Sequence, residues 1–217
     1  QKATHLATTG RPGPVWLDIP LDIQGKLINL DELLSYNSEE DLRNGKDQVL
    51  SEQVNECISM LKRAKRPVLI CGYGIRLSKG EKEFRQLVEK LKIPVISSWT
   101  SSDLIQTDHE FYIGRSGIMG DREGNFTVQD SDLLLIIGSR MSVPQVGYNY
   151  STFARKAKKI IVDIDETELS KPSIKPDLPI TADAREFIVS MISLLEKELV
   201  TLSVDDWLQK CSNWKNK

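Results

Sequence analysis

The sequence predicts an α/β protein with a doubly wound parallel sheet flanked by helices, of the Rossmann-like, FAD/NAD-binding-like kind. Three observations predict it. Short continuous apolar runs, PVLIC at 67–71 and LLLII at 133–137, read as strands buried on both faces. Stretches with apolar residues at helical spacing alternate with these runs, the pattern of parallel strands joined by helices. Several runs end in glycine, serine or aspartate, the residue types that open α/β sheets place in ligand-binding loops.

In chain order, residues 2–7 read as the end of a helix already under way, and the opening Gln1 predicts a chain that does not start where its gene does. The breaker cluster GRPGP at 10–14 stops that helix. Residues 15–19, VWLDI, read as a short buried strand with no partner nearby, and a lone strand cannot make a sheet. Residues 24–50 are polar, with one weak apolar cluster of Leu30, Leu33 and Leu34, and read as a linker.

A compact unit is expected from about residue 51. Val54, Cys57, Ile58 and Leu61 mark a helix over 51–64 with Ser51 as its candidate N-cap. Strand 67–71 follows, then a helix over 81–91 built on Phe84, Leu87, Val88 and Leu91, and a strand at 94–97. Residues 99–117 read as irregular loop with one helical turn, and 119–129 as a weak helix. Strands are expected at 133–137, 159–164 and 178–181. A helix over 185–199 carries Phe187, Ile188, Met191, Ile192 and Leu195, and a last one spans 204–214. The domain reading is 1–23 as the tail of a preceding domain, 24–50 as linker, 51–200 as the nucleotide-binding-fold domain and 201–217 as the start of the next linker.

Composition excludes several classes of function. The formal net charge is −2 with both signs mixed along the chain, which gives no reason to expect nucleic acid or a membrane surface as partner. No apolar run approaches the roughly 18 residues of a membrane span, and no signal-peptide layout opens the chain; a cytoplasmic location is the default. Cys57, Cys71 and Cys211 form no CxxC pair, and only His5 and His109 are available for histidine chemistry. No catalytic residue and no metal ligand is proposed.

Four strand-end loops carry the candidate ligand contacts. Gly72-Tyr73-Gly74 allows backbone amides to approach a phosphate, or serves as a tight strand-to-helix turn, and Leu77 breaks the full GxGxxG pattern. Gly138-Ser139-Arg140 offers close approach, a hydroxyl and a guanidinium fork, unless Arg140 pairs with a surface carboxylate. Asp163-Ile164-Asp165 offers acids for ribose hydroxyls, or a helix cap. Asp183 reads first as an N-cap and second as a ligand contact. The glycine-dense stretch 114–120 wraps a ligand or meets a neighbouring domain. Gly120-Asp121 starts like a Mg²⁺–diphosphate motif, but Arg122 stands in its third position and sets it aside.

Taken in order, these stretches resemble the thiamine-diphosphate-dependent enzymes of the acetolactate synthase type. Residues 10–22 resemble the close of that family's pyrimidine-binding domain. Residues 64–74 (AKRPVLICGYG), 131–140 (SDLLLIIGSR) and 157–165 (AKKIIVDID), followed by Glu168-Leu169, resemble its central domain. The resemblance covers essentially the whole chain. It implies a three-domain parent that binds thiamine diphosphate and Mg²⁺ through the two outer domains, whose ligands are absent from this chain, and that acts as a dimer or tetramer. The parent is expected to decarboxylate a 2-oxo acid such as pyruvate and pass the activated aldehyde to an acceptor; this chain alone is expected to be inactive.

The resemblance also implies FAD in the central domain, in a structural role, where related enzymes hold ADP or nothing. The family's FAD pattern maps onto Gly72, Gly74, Ser98, Gly138, Ser139, Arg140, Asp163, Ile164 and Asp183. Two departures stand out. Met141-Ser142-Val143-Pro144-Gln145 replaces the aromatic, acidic and arginine residues of acetolactate synthases, and bulky Trp99 lies near the expected flavin. The rival reading is a free-standing FAD- or NAD-binding module.

Overall fold

The computed structural model describes residues 1–38 and 46–216. The chain divides into two units, Gln1–Lys46 and Asp47–Lys217.

The first unit holds two short helices, α1 (Lys2–Thr8) and α2 (Leu21–Gln24), and a 3-10 turn at Leu30–Glu32. None of residues 1–38 is buried. Residues 15–19 belong to no strand, so the strand expected there does not form. A segment without a hydrogen-bonded neighbour has no ladder to join. Of the expected linker 24–50, residues 39–45 lie outside the described residues.

The second unit opens with α3 (Lys46–Arg63). Helix α3 begins before the expected residue 51, so Ser51 lies within it and is not its cap. The helix buries Val54, Cys57, Ile58 and Leu61. Then follow β1 (Pro67–Cys71), α4 (Gly74–Leu77), α5 (Glu81–Leu91), β2 (Val95–Ser97) and β3 (Tyr112–Arg115). The second half contains α6 (Arg122–Asp130), β4 (Leu133–Ile137), α7 (Val143–Val146), β5 (Lys158–Asp163), α8 (Glu166–Ser170), β6 (Leu178–Thr181), α9 (Ala184–Lys197) and α10 (Asp205–Lys215).

The six strands are all parallel, in the order β3-β2-β1-β4-β5-β6. This is the doubly wound arrangement that the sequence predicts. Every residue of β1 and β4 is buried, as apolar strands covered on both faces require, whereas edge strand β6 alternates buried and exposed. The chain lays β2 and β3 on one side of β1, then crosses to lay β4, β5 and β6 on the other. Right-handed crossovers in the two directions put their helices on opposite faces. Helix α5 packs with α9, and α6 with α10. Phe84 and Phe187 are the largest wholly buried side chains, from α5 and α9. Helix α10 buries Trp207 and Cys211 in the same core, and the Trp207 indole donates to the Pro67 carbonyl at 3.0 Å.

Strand β3 corrects the reading of residues 99–117 as loop. The stretch holds a 3-10 turn at Trp99–Ser101 and then an edge strand paired to β2 with a register shift between Val95 and Ile96. Its apolar signal is short, Phe111-Tyr112-Ile113, and a glycine follows at once. The helix expected at 119–129 begins at Arg122, because residues 116–121 form the loop between β3 and α6.

Candidate functional site at the carboxyl ends of the strands

Reversal of strand order between β1 and β4 creates a topological switch point, the place where such sheets bind ligands. The loops leaving these two strands are Gly72-Tyr73-Gly74 and Gly138-Ser139-Arg140. They press on one another. The Gly72 amide donates to the Ile137 carbonyl and the Gly74 amide to the Gly138 carbonyl, both at 2.9 Å. A Cβ on Gly72 would stand 2.2 Å from the Gly138 oxygen, and one on Gly74 2.7 Å from the Gly138 Cα. Gly138 adopts φ +64°, which disfavours any side chain. Mutual backbone contact therefore accounts for these glycines, and a phosphate would meet the loops from their outer side.

The other predicted residues are tied into the rim. The buried Ser139 hydroxyl donates to Gln145 Oε1 at 2.8 Å. Arg140 Nε donates to Glu168 Oε1 at 2.8 Å, yet its side chain stays 65% exposed. Glu168 also pairs with Lys171 at 3.0 Å, and the Lys171 ammonium donates to the Arg140 carbonyl. Buried Asp163 accepts the Asp165 amide at 3.0 Å, Asp165 caps α8 through the Thr167 amide, and Ile164 between them is partly exposed. Asp183 caps α9, accepting the Arg185 and Glu186 amides at 2.9 and 3.2 Å. The Ser98 hydroxyl lies 2.8 Å from that of Ser101, which donates to the Cys71 carbonyl at the end of β1.

Sheet order fixes what comes together. Gly72, Gly74, Gly138 and Ser139 meet at the switch point, Ser98 adjoins it from β2, and Asp163 with Ile164 lies one strand beyond β4. Asp183, after β6, lies about 14 Å from β1 at roughly 4.8 Å per strand. Ser98 to Asp183 crosses the carboxyl ends of five strands.

Sequence reasoning missed a second cluster on this rim. Arg115, at the end of β3, donates from Nε to Asp121 Oδ2 at 3.1 Å and from Nη2 to Oδ1 at 2.9 Å, while its amide reaches Oδ2 at 2.9 Å. The guanidinium lies 5.6 Å from the centre of the Trp99 ring. Arg115 holds the Asp121 carboxyl below the usual carboxylate range, and Asp121 raises the guanidinium in turn. Only the strand assignment of 112–115 would have revealed it. Gln145, the buried partner of Ser139, had no signal in the sequence.

Metal chemistry has little to work with here. Among the described residues no three His, Cys, Asp or Glu side chains gather as a metal site. Both Asp121 oxygens are engaged by Arg115, so the Gly120-Asp121 resemblance to a Mg²⁺–diphosphate motif has no free ligand behind it. The thiols are inert in kind: burial pushes Cys71 and Cys211 up to about 12 and Cys57 higher still. A shallow pocket at the opposite, amino ends of the strands is lined by Arg66, Asp205, Trp207 and Lys210, but Arg66 and Lys210 both bond to Asp130.

Known proteins are similar to this chain in sequence. The model of the thiamine pyrophosphate enzyme central domain matches residues 54–191. The probable acetolactate synthase large subunit of Methanocaldococcus jannaschii is 31% identical over 213 residues, 96% of this chain and 35% of that protein. The acetolactate synthase large subunit of Lactococcus lactis is 31% identical over 216 residues, 100% of this chain and 36% of that protein. That of Corynebacterium glutamicum is 32% identical over 208 residues, 95% and 33% respectively. The chain thus spans about a third of the length of these relatives. With more than half of its residues matched by the family's own model, on the sheet described above, the chain belongs to the thiamine pyrophosphate enzyme family and carries its central domain.

Proposed function

We propose that this chain is the central domain of an acetolactate-synthase-like enzyme that decarboxylates a 2-oxo acid and joins the activated aldehyde to an acceptor. The observation that carries the reading is similarity to acetolactate synthase large subunits along nearly all of the chain, on a sheet whose family model matches residues 54–191. Within that enzyme the domain has a structural part. Thiamine diphosphate and Mg²⁺ belong to the flanking domains of the same polypeptide, and the chain by itself is inactive. The intact protein is a cytoplasmic homo-oligomer, a dimer or tetramer, with no nucleic-acid or membrane partner. Among the described residues no helix is long and apolar enough to cross a membrane.

The carboxyl rim holds a nucleotide, FAD or ADP. Its span from Ser98 to Asp183 suits an extended molecule, and three groups are arranged for one. Arg140 pairs with the carboxylate of Glu168 through Nε, the alternative the sequence offered, while its side chain stays 65% exposed, which leaves part of the guanidinium for phosphate. Asp163 lies at the end of β5, where ribose hydroxyls find acceptors. The Gly72, Gly74 and Gly138 amides are taken by backbone carbonyls, so the cradle would draw on the Tyr73 and Ser139 amides beside them. The bound nucleotide would add binding energy to the folded state only, so it would stabilise the domain by mass action.

Two assays test the reading. The purified chain, given thiamine diphosphate, Mg²⁺ and pyruvate, should release no carbon dioxide above background; turnover would overturn the placement of the reacting groups elsewhere. Titration with FAD and with ADP should show saturable binding to at least one. Absence of binding by both removes the nucleotide and leaves the family assignment standing.

A further inference from the structure

We infer that Trp99 is a stacking shelf for the planar heteroaromatic ring of the nucleotide, the residue by which this rim selects a ring-bearing ligand over a bare phosphate. This rests on the nucleotide reading above. Trp99 is 60% exposed, although an indole is among the side chains that gain most from burial. It sits in the 3-10 turn that leaves β2, directly beside the end of β1. That turn is stapled down: the Ser98 amide donates to the Cys71 carbonyl at 3.0 Å, and the Ser101 hydroxyl to the same carbonyl at 2.7 Å. Arg76, on α4, pairs with Asp103 just past the turn at 2.5 Å. The turn is thus anchored to the end of β1, while the ring itself lies beside Arg115 at the end of β3; Tyr73, in the loop that leaves β1, is 44% exposed.

Arg115 fixes the indole before any ligand arrives. Its guanidinium lies over the ring and is itself gripped by Asp121 through two side-chain bonds, with a third from the Arg115 amide. Gly114, at φ +148°, makes room for that grip, since a Cβ there would stand 3.0 Å from Asp121 Oδ2. A cation over an aromatic face is attracted to it, and the attraction holds the indole in one orientation. A preordered ring gives up less freedom when a ligand stacks on it. Asp121 engages Nε, Nη2 and the amide of Arg115, against the single Nε bond that Glu168 makes to Arg140, so this cluster offers a ring face and not a phosphate grip. Adenine and isoalloxazine both present the required face.

The test is a titration of the 217-residue chain with ADP, FAD and inorganic pyrophosphate, comparing wild type with Trp99→Ala and Trp99→Phe. Loss of one stacked base is worth about tenfold in affinity. Trp99→Ala should therefore weaken ADP and FAD about tenfold, Trp99→Phe should recover most of the loss, and pyrophosphate should bind all three proteins alike. Indole emission should change on ADP binding in wild type and not in Trp99→Ala, although Trp16, Trp207 and Trp214 remain. Thermal unfolding of the variants should match wild type. Equal affinity of wild type and Trp99→Ala for ADP and FAD overturns the shelf alone, leaving Trp99 for contact with a neighbouring domain. Equal weakening of pyrophosphate also overturns it, by showing a general disturbance of the rim. If wild type binds neither ADP nor FAD, the nucleotide reading fails and the shelf falls with it.

Discussion

Residues 15–19, VWLDI, and residues 67–71, PVLIC, are five-residue runs that both read as buried strands, the first interrupted by Asp18, and their fates differ completely. The second run is strand β1, wholly buried, with β2 and β4 bonded to its two edges. The first belongs to no strand, and it leaves Trp16 90% and Leu17 68% exposed. Apolar character alone does not make a strand. A run becomes one when neighbours in the same unit satisfy its amides and cover both faces. Here β1 lies inside the sheet between β2 and β4, in a unit where α5 packs with α9 and α6 with α10.

The largest effect that would sharpen this contrast is truncation of a core aromatic against truncation of an exposed one. Phe187→Ala, at a site with no exposure, should cost about 3–5 kcal/mol, measured by denaturant unfolding with an unchanged slope. Trp16→Ala should change stability by under about 0.5 kcal/mol. A Trp16→Ala loss as large as that of Phe187→Ala would show that the first unit is held as firmly as the second.

A smaller effect compares two glycines. At Gly72 a methyl group would lie within 2.5 Å of three backbone atoms of Gly138 and Ser139, whereas at Gly13 it would meet nothing within 4 Å. Gly72→Ala should therefore destabilise by about 1–3 kcal/mol or more, through a forced separation of β1 and β4. Gly13→Ala should be nearly neutral or slightly stabilising, by restricting the unfolded chain. Equal melting temperatures for the two variants would contradict the backbone contact at the switch point.

How much of this was legible varies with the kind of signal. Strands β1, β4 and β6 and helix α5 coincide with the sequence reading, because continuous apolar runs and a clean helical stripe leave one interpretation. Edge strand β3 was hidden, since Tyr112 and Ile113 are followed by Gly114 and the strand is paired on one side only. Glycines at 72, 74 and 138 were legible as close approach, but not what approaches; the sequence pattern of a phosphate cradle and of two loops packed on each other is the same. Asp183 was readable as a helix cap because a short acid before an amphipathic run has a single local use. The Trp99–Arg115–Asp121 cluster depends on residues brought together across a loop and an edge strand, a distance relation that spacing does not encode.

The smallest effect is one of pH. The folded-state pKa of Asp121 lies below its ordinary value because Arg115 bonds to the carboxylate. Its stabilising contribution is complete above the unfolded carboxylate range and disappears as pH falls through the folded pKa. Acid should therefore loosen the loop of residues 116–121, and Asp121→Asn should flatten that part of the stability profile below about pH 4. The pair is partly exposed, so the change should be slight and should shrink further in salt. An identical acid profile for wild type and Asp121→Asn would show that the grip on Arg115 adds nothing to the fold.

Amide hydrogen exchange along the intact chain tests most directly the claim that one unit contains the whole sheet. Protection should be greatest in Pro67–Cys71, Leu133–Ile137 and Lys158–Asp163, and residues 15–19 should exchange at close to the rate of an unstructured peptide. Protection at 15–19 equal to that at 133–137 would mean that VWLDI is a paired strand after all, and the account would be wrong.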